Sequence, residues 1–331
     1  MRGVKLLGAH ELQPMDLPDP TPAADEVVVR VDGCGICGSD LSSYKVGLFT
    51  DAVPGHEFAG IIDSVGDSVR GWNVGDTTVV DPKMPCGVCE DCRSGAEYRC
   101  AIALTAGLGF ARDGGFAERV VVPSHLLHRV PQALSLRHAC LVEPLSIAIH
   151  GVERARPSES GSAIVVGLGP IGLFTVAVLA ARGMTPIIGV DPVEDRRRLA
   201  GALGATTVAD ALHEVRATVE PSPAVFECSG RADLLHTTAD LVAPGGTLVM
   251  LGVPFGEANV APLMWVTREI NIAGSIAQSA QDFEAGIAML AADPKLARIV
   301  TKRIPLDEVP AAFEDLIAPS HGGKIVVEPS L

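Results

Sequence analysis

The run Ala163-Ile164-Val165-Val166-Gly167-Leu168-Gly169-Pro170-Ile171-Gly172 constrains the fold more than any other stretch of this chain. Its four apolar residues predict a short buried strand, and the apolar segment from Ile171 to Arg182 predicts a helix directly after it. Only a glycine turn joins the two. In such a unit Gly167 permits the tight turn, Gly169 lets a pyrophosphate approach the backbone, and Gly172 lets the helix sit close to the sheet. Pro170 and Ile171 open the helix, whose free N–H groups and positive dipole end are offered to the phosphates. A glycine turn alone is common. Context strengthens this one: a second strand, Ile187 to Val190, ends at Asp191, nineteen residues past Gly172. A carboxylate there accepts both ribose hydroxyls of NAD and repels the extra phosphate of NADP. The plainer alternative for Asp191 is a helix cap. Arg196 is placed to stack on the adenine or to pair with Asp191.

From about Ser158 onward, apolar strands alternate with helical segments. After Ile187–Val190 comes a helix from Val193 to Leu203, then strands at Thr207–Ala209, Ala224–Glu227, Thr247–Leu251 and Ile270–Ala273. That alternation predicts an α/β unit with a doubly wound parallel sheet. Before it the texture differs. Short runs rich in valine (Glu26–Val31, Phe58–Ile62, Thr77–Val80, Phe116–Val122) are separated by turn residues, as in an irregular β unit. A helix from Asp282 to Ala292 and a strand from Lys324 to Val327 follow the alternating region. At 331 residues, two domains are expected.

Cys86, Cys89, Cys92 and Cys100 form C-x2-C-x2-C-x7-C. Four thiolates at this spacing suit tetrahedral Zn²⁺ and leave no position open for a substrate. The intervening residues are polar and offer little core, so metal would hold the loop folded. Buried or disulfide-bonded cysteines are the alternative. With no signal peptide or run of about 20 apolar residues visible, the chain reads as cytosolic, where cysteines serve metal or catalysis more than disulfides. The net charge of −14 disfavours nucleic acid and anionic membrane as partners. The one basic run, Arg196-Arg197-Arg198, reads as a solvated helix face.

Three further short strings carry metal-type donors: Gly35-Ile36-Cys37-Gly38-Ser39-Asp40, Pro54-Gly55-His56-Glu57, and Cys140-Leu141-Val142-Glu143-Pro144-Leu145. None convinces alone, since a single His or Cys is more often structural. Taken with the four cysteines and the glycine run, their order and spacing resemble the medium-chain zinc dehydrogenases over about Val27 to Val327. The pattern is most similar to the branch of sorbitol, threonine, butanediol and aminocyclitol dehydrogenases.

The resemblance implies a GroES-like β domain (1–151 and 278–331, zinc lobe about 82–102) interrupted by a Rossmann NAD-binding domain (152–277), with the active site in the cleft between them. It implies two zinc ions per chain. Cys37, His56 and Glu143 would be catalytic zinc ligands, and Glu57 a carboxylate that ligates or supports the metal. Cys140 is a competing ligand, while Cys34 and Cys228 read as structural. Ser39 would pass the substrate proton outward, and Asp40 would orient His56. Gly252 and Ser275 join the glycine run, Asp191 and Arg196 in the cofactor set.

The implied reaction is hydride transfer from a secondary alcohol to NAD, giving a ketone. Many relatives place a histidine where Ser42 stands, so the proton relay must end in water or another group; Tyr44 and Lys45 are near in sequence. GSDLS followed by an aromatic residue resembles some aminocyclitol dehydrogenases, which points to a polyol or aminocyclitol substrate. Small diols or linear polyols are the alternative, and a non-catalytic NAD-binding member of the fold a remote one. Phe49, Phe110, Trp265 and Phe255 are candidates for the pocket. A homo-oligomer, dimer or tetramer through the Rossmann edge strand, is implied as well.

Overall fold

The computed structural model describes residues 1–156, 161–254, 256–317 and 322–331. Ser158, where the texture changes, and Phe255 lie outside the described residues. The chain divides into two compact units. One comprises Met1–Glu143, Ser279–Ser320 and Lys324–Leu331; the other comprises Pro144–Gln278 and His321–Gly323. The division falls within the helix Val142–Ala155, earlier than the expected boundary at 151.

The first unit is built on a seven-stranded sheet. Its order is Val300–Ile304, Lys324–Val327, Glu26–Gly35, Glu57–Val65, Thr77–Val80 and Leu127–Arg129, with Arg119–Pro123 also pairing with Glu26–Gly35. The central strand carries Val27, Val28, Val29 and Val31, all buried; branched side chains of this kind pack well on a pleated sheet. Val27, Val29 and Val31 share a core with Val4, Phe58, Phe116 and Phe313. Two registers position the site. Gly35 lies opposite Glu57 on one side and opposite Val326 on the other. The segment expected as a strand from Phe116 starts only at Arg119. The preceding backbone is bonded elsewhere: Gly115 N–H donates to the Gly55 carbonyl (2.6 Å) and Phe116 N–H to that of Pro54 (3.0 Å). Those bonds hold the loop that leads into His56.

The second unit is a six-stranded, all-parallel sheet. Its order is Thr207–Ala209, Ile187–Val190, Ala163–Val166, Ser222–Glu227, Val242–Met250 and Asn271–Gly274. In chain order that is third, second, first, fourth, fifth, sixth, the doubly wound arrangement, with its switch point beside Ala163–Val166. Strands Ala163–Val166 and Ile187–Val190 are buried throughout, which is why they read as unbroken apolar runs. Helix Pro170–Ala181 has Pro at its start, and eight of its residues are buried, so it lacks a polar stripe. The strand expected at Thr247–Leu251 begins earlier, at Val242. Its Pro-Gly-Gly stretch reads locally as a turn, yet Val242 pairs with Ser222 across a register shift.

Candidate active site

The four cysteines of the lobe converge. Their sulfur atoms all lie within 4.8 Å of one another. Cys89 Sγ is 3.4 Å and Cys86 Sγ 3.9 Å from Cys92 Sγ. Zinc–sulfur bonds of about 2.3 Å give tetrahedral edges of about 3.8 Å, so the spacing fits that ion. All eight cysteines of the chain are free, and the sulfur separations in the lobe are longer than a disulfide bond of about 2.05 Å. Backbone N–H groups of Val88 and Cys89 pull the Cys86 thiol down to about 6. Partial burial and the neighbouring Cys89 sulfur push that of Cys92 up to about 12. Such crowded sulfurs cannot all ionise without a cation among them.

The dispersed donors also come together, in part. Cys37 Sγ, a His56 ring nitrogen and a Glu57 carboxylate oxygen lie within 4.8 Å of one another. Cys37 ends the stretch after the central strand and is the N-cap of the helix Gly38–Val46. Asp40, in the first turn of that helix, accepts the Cys37 N–H through Oδ2 (2.9 Å). Its Oδ1 lies 3.3 Å from His56 Nδ1, where their alignment falls short of a hydrogen bond. Nδ1 thus faces Asp40, leaving Nε2 as the nitrogen for a metal. Burial works against charge on His56, but Asp40 and Cys37 outweigh it and hold the imidazole well above its usual value. Phe110 stacks on the ring at 4.9 Å, and Phe49 packs edge-on to Phe110 at 5.6 Å. Trp265, by contrast, packs against the core of the second unit.

Glu143 stands in the first turn of the helix Val142–Ala155 and is buried, but it is not among the three residues that meet at ligand distance. Burial pushes its carboxyl up to about 7; Glu57 adds to the push, while His56, Lys324 and Lys83 oppose it. A buried carboxyl, a thiol and an imidazole that share one field make a donor set suited to a divalent cation. Cys140 is the poorer candidate, because burial pushes its thiol up to about 12. Ser39 Oγ is buried and has no hydrogen-bond partner among the described residues. Ser42 instead donates to the Gly38 carbonyl (3.0 Å) and Tyr44 to Glu314, so both hydroxyls are engaged within the unit.

Sequence reasoning missed Lys324. Its ammonium lies 2.6 Å from each Glu57 oxygen. Lysine within the otherwise apolar Lys324-Ile325-Val326-Val327 was the available sign, since a buried lysine needs a partner. Lys83, also buried, pairs with Asp81 at 2.6 Å.

In the second unit the glycine run behaves as its residues dictate. Gly167 has φ of 88°, and a Cβ on Gly172 would lie 1.8 Å from the Gly167 carbonyl oxygen. Gly169 has nothing within 4 Å of where its Cβ would be, so its side of the turn is open. Asp191 is buried and accepts the N–H of Leu168 (2.8 Å) and of Val193 (2.9 Å). The N-cap of the next helix is Val193, not Asp191. Arg196 pairs with Asp191 at 3.3 Å, and Arg197 donates to the Asp191 and Pro192 carbonyls. The arginine run is therefore only partly a solvated face: two of its three residues fold back onto the Asp191 turn. A Cβ on Gly252 would lie 2.2 Å from Gly230 N and 2.6 Å from a Glu227 oxygen, which explains glycine there. Ser275 Oγ is buried without a hydrogen-bond partner among the described residues. Among the same residues, no helix is long and apolar enough to cross a membrane.

Two family models match the chain: the alcohol dehydrogenase GroES-like domain over residues 23–132 and the glucose dehydrogenase C-terminus over residues 136–321. D-altritol 5-dehydrogenase of Agrobacterium fabrum is 33% identical over 90% of this chain and 89% of its own length. D-xylulose reductase A of Aspergillus oryzae is 30% identical over 95% of this chain and 92% of its own. A crystallised zinc-binding dehydrogenase from Sinorhizobium meliloti 1021, bound to NADP, superimposes with a TM-score of 0.91 at 30% identity, covering 99% of each chain. The sulfur lobe, the Cys37–His56 cluster and the glycine turn thus sit in a chain that belongs to the zinc-dependent medium-chain alcohol dehydrogenases, in their polyol branch.

Proposed function

We propose that this enzyme oxidises a secondary hydroxyl of a polyhydroxylated substrate, a linear polyol or a cyclic aminopolyol, to a ketone. NAD takes the hydride, and a proton is released. The observation that carries this reading is the half-buried Cys37 beside the buried His56, backed by Asp40 and flanked by the unpartnered hydroxyl of Ser39. Cys37, His56 and Glu143 would hold the catalytic zinc, with Glu57 as a supporting carboxylate. The four cysteines would hold a second zinc, giving two per chain. Bound zinc supplies a Lewis acid that lowers the pKa of the substrate hydroxyl toward neutrality.

The remaining steps belong to the protein. Asp40 fixes the ring of His56. Ser39 Oγ accepts the substrate proton in a hydrogen bond and hands it to water, since Ser42 and Tyr44 are engaged elsewhere. The names of two relatives, for xylulose and altritol, favour a polyhydroxylated substrate over a simple diol. Asp191, buried and fixed by two backbone N–H groups, supports NAD over NADP. The second reading, NADP, draws on Arg196 and Arg197 beside Asp191 and on the NADP-bound relative.

We also propose a homo-oligomer. Strand Asn271–Gly274 is a sheet edge, and Leu263 (71% exposed), Val266 (73%) and Ile272 (40%) are uncovered near it in sequence. Eight free cysteines fit a reducing, cytosolic compartment. The test is NADH and NADPH formation, followed by absorbance, across secondary alcohols, small diols, linear polyols and aminocyclitols, before and after zinc chelation. Turnover of a polyol or aminocyclitol, lost on chelation, is the expected result. Turnover of small diols alone would replace the substrate class, and turnover that survives metal removal would overturn the zinc reading.

A further inference from the structure

Lys324 is nearly inaccessible, at 2% exposure, and Glu57 is fully buried. The Lys324 ammonium donates to Glu57 Oε1 and Oε2, each at 2.6 Å, and to the Ile36 carbonyl at 3.0 Å. Its three acceptors match its three N–H donors.

The acceptors are not scattered. Ile36 immediately precedes Cys37, and Glu57 immediately follows His56. One side chain from the last strand therefore ties together the two segments that carry the paired donors. The backbone is shaped to admit the arrangement. Gly35 faces Glu57 across the sheet, and a Cβ on Gly35 would lie 2.0 Å from Glu57 Oε2. A buried ion pair is a weak route to stability, because an apolar pair of similar volume commonly serves as well. A glycine notch, a buried lysine and a complete set of acceptors together indicate a purpose other than packing.

We propose that Lys324 is a positioning residue: it holds the Glu57 carboxylate on its ammonium, and so keeps that carboxylate from ligating the metal at Cys37 and His56. The inference rests on the reading that those two residues hold zinc. It also divides the labour between the two nearby glutamates. Glu57 is engaged through both oxygens. Glu143 has no comparable clamp among the described residues; although it does not itself lie at ligand distance from Cys37 and His56, it would be the carboxylate left to ligate. A coordination position is thereby kept for the substrate hydroxyl.

The experiment uses the full-length enzyme with Co²⁺ exchanged into the Cys37 site and zinc left in the cysteine lobe. Its readouts are the visible ligand-field spectrum and steady-state kinetics. Lys324→Met should change the cobalt spectrum as Glu57 becomes a ligand, and should lower kcat/KM by roughly 10–100-fold, the range for loss of an outer-shell partner. Adding Glu57→Gln to Lys324→Met should return the spectrum toward wild type. Lys324→Arg, which keeps the cation, should stay closer to wild type than Lys324→Met. If Lys324→Met does not fold, Lys324→Gln is read in the same way. A folded variant without the ammonium but with a wild-type spectrum would overturn the proposal, as would a change that Glu57→Gln does not reverse. Failure of the underlying reading looks different: Cys37→Ser would then take up cobalt with an unaltered spectrum.

Discussion

The cysteine lobe and the Cys37–His56 cluster both gather metal-type donors, but they are built in opposite ways. In the lobe, four donors come from fifteen consecutive residues, and the loop around them has little core. At the cluster, the donors are far apart in sequence. A sheet register, a helix cap and two buried carboxylates bring them into place. The lobe has four sulfurs within 4.8 Å of one another, a full donor set for the second zinc proposed above. The cluster has supporting groups on one side and an unpartnered hydroxyl nearby, as a site that admits a substrate requires. Donor count and support, more than donor identity, separate a centre that holds a fold from one that performs chemistry.

Substitution at one donor of each centre should separate them most sharply. Cys37→Ser is expected to abolish turnover while leaving the melting temperature and NADH binding, followed by fluorescence titration, close to wild type. Cys100→Ser is expected to act the other way. Metal content by elemental analysis should fall from two ions to one per chain, and the melting temperature should drop. Isolated zinc fingers draw about 10–16 kcal/mol from their metal, and a lobe anchored at both ends can lose part of that without global unfolding. If both substitutions gave the same phenotype, the contrast between the two centres would collapse.

The support of the cluster comes next in size. Asp40→Asn keeps the shape of the side chain but removes its charge from beside His56. Loss of such a partner costs roughly 10–100-fold in metal affinity or activity. Competition with a chelating dye measures the first and kcat/KM the second. No change in either would mean that Asp40 serves only to cap its helix.

These differences also explain what could be read from sequence. The convergence of the four lobe cysteines was legible directly, because they are close in the chain and their spacing alone brings them together. So was the parallel sheet, whose strands Ala163–Val166, Ile187–Val190 and Thr207–Ala209 have the expected limits. Cys37 and His56 were legible only through resemblance, since nothing local requires either to face the other. Lys324 was not legible at all. Its partners lie 267 and 288 residues away, and only the sheet register brings them near. Gly35 was hidden for the same reason: the carboxylate that it admits belongs to the neighbouring strand. The strand at Val242 was read too short because Pro244-Gly245-Gly246 looks like a turn until Ser222 is seen to pair beside it.

A smaller effect is expected at the cofactor turn. Asp191→Ala should lower the preference for NAD over NADP by roughly 10–100-fold, because hydrogen bonds to a charged group are worth about 1.5–3 kcal/mol. The ratio of the two kcat/KM values is the diagnostic, since Asp191 also anchors Leu168 and its loss should weaken both cofactors. An unchanged ratio would assign Asp191 to the turn alone and shift attention to Arg196.

Tyr44 should give the smallest effect, and it tests where the cluster ends. It lies seven residues past Cys37, close in sequence to a proton relay, yet its ring packs edge-on to Phe313 and its hydroxyl donates to Glu314. Burial first, and Glu314 second, push the phenol up to about 12. A phenol raised in the fold favours its protonated form there. Its stabilising effect is therefore complete below about pH 10, its unfolded value, and is lost as the pH climbs toward 12. Tyr44→Phe should cost about 1 kcal/mol at neutral pH, the usual worth of one hydrogen bond. Denaturant titrations at several pH values should show the gap from wild type constant up to about pH 10 and narrowing above it, while kcat keeps its pH profile. Loss of the alkaline limb of kcat in Tyr44→Phe would instead make the phenol the end of the relay. The core of the first unit and its chemical site would then share a residue that the structure assigns to the core.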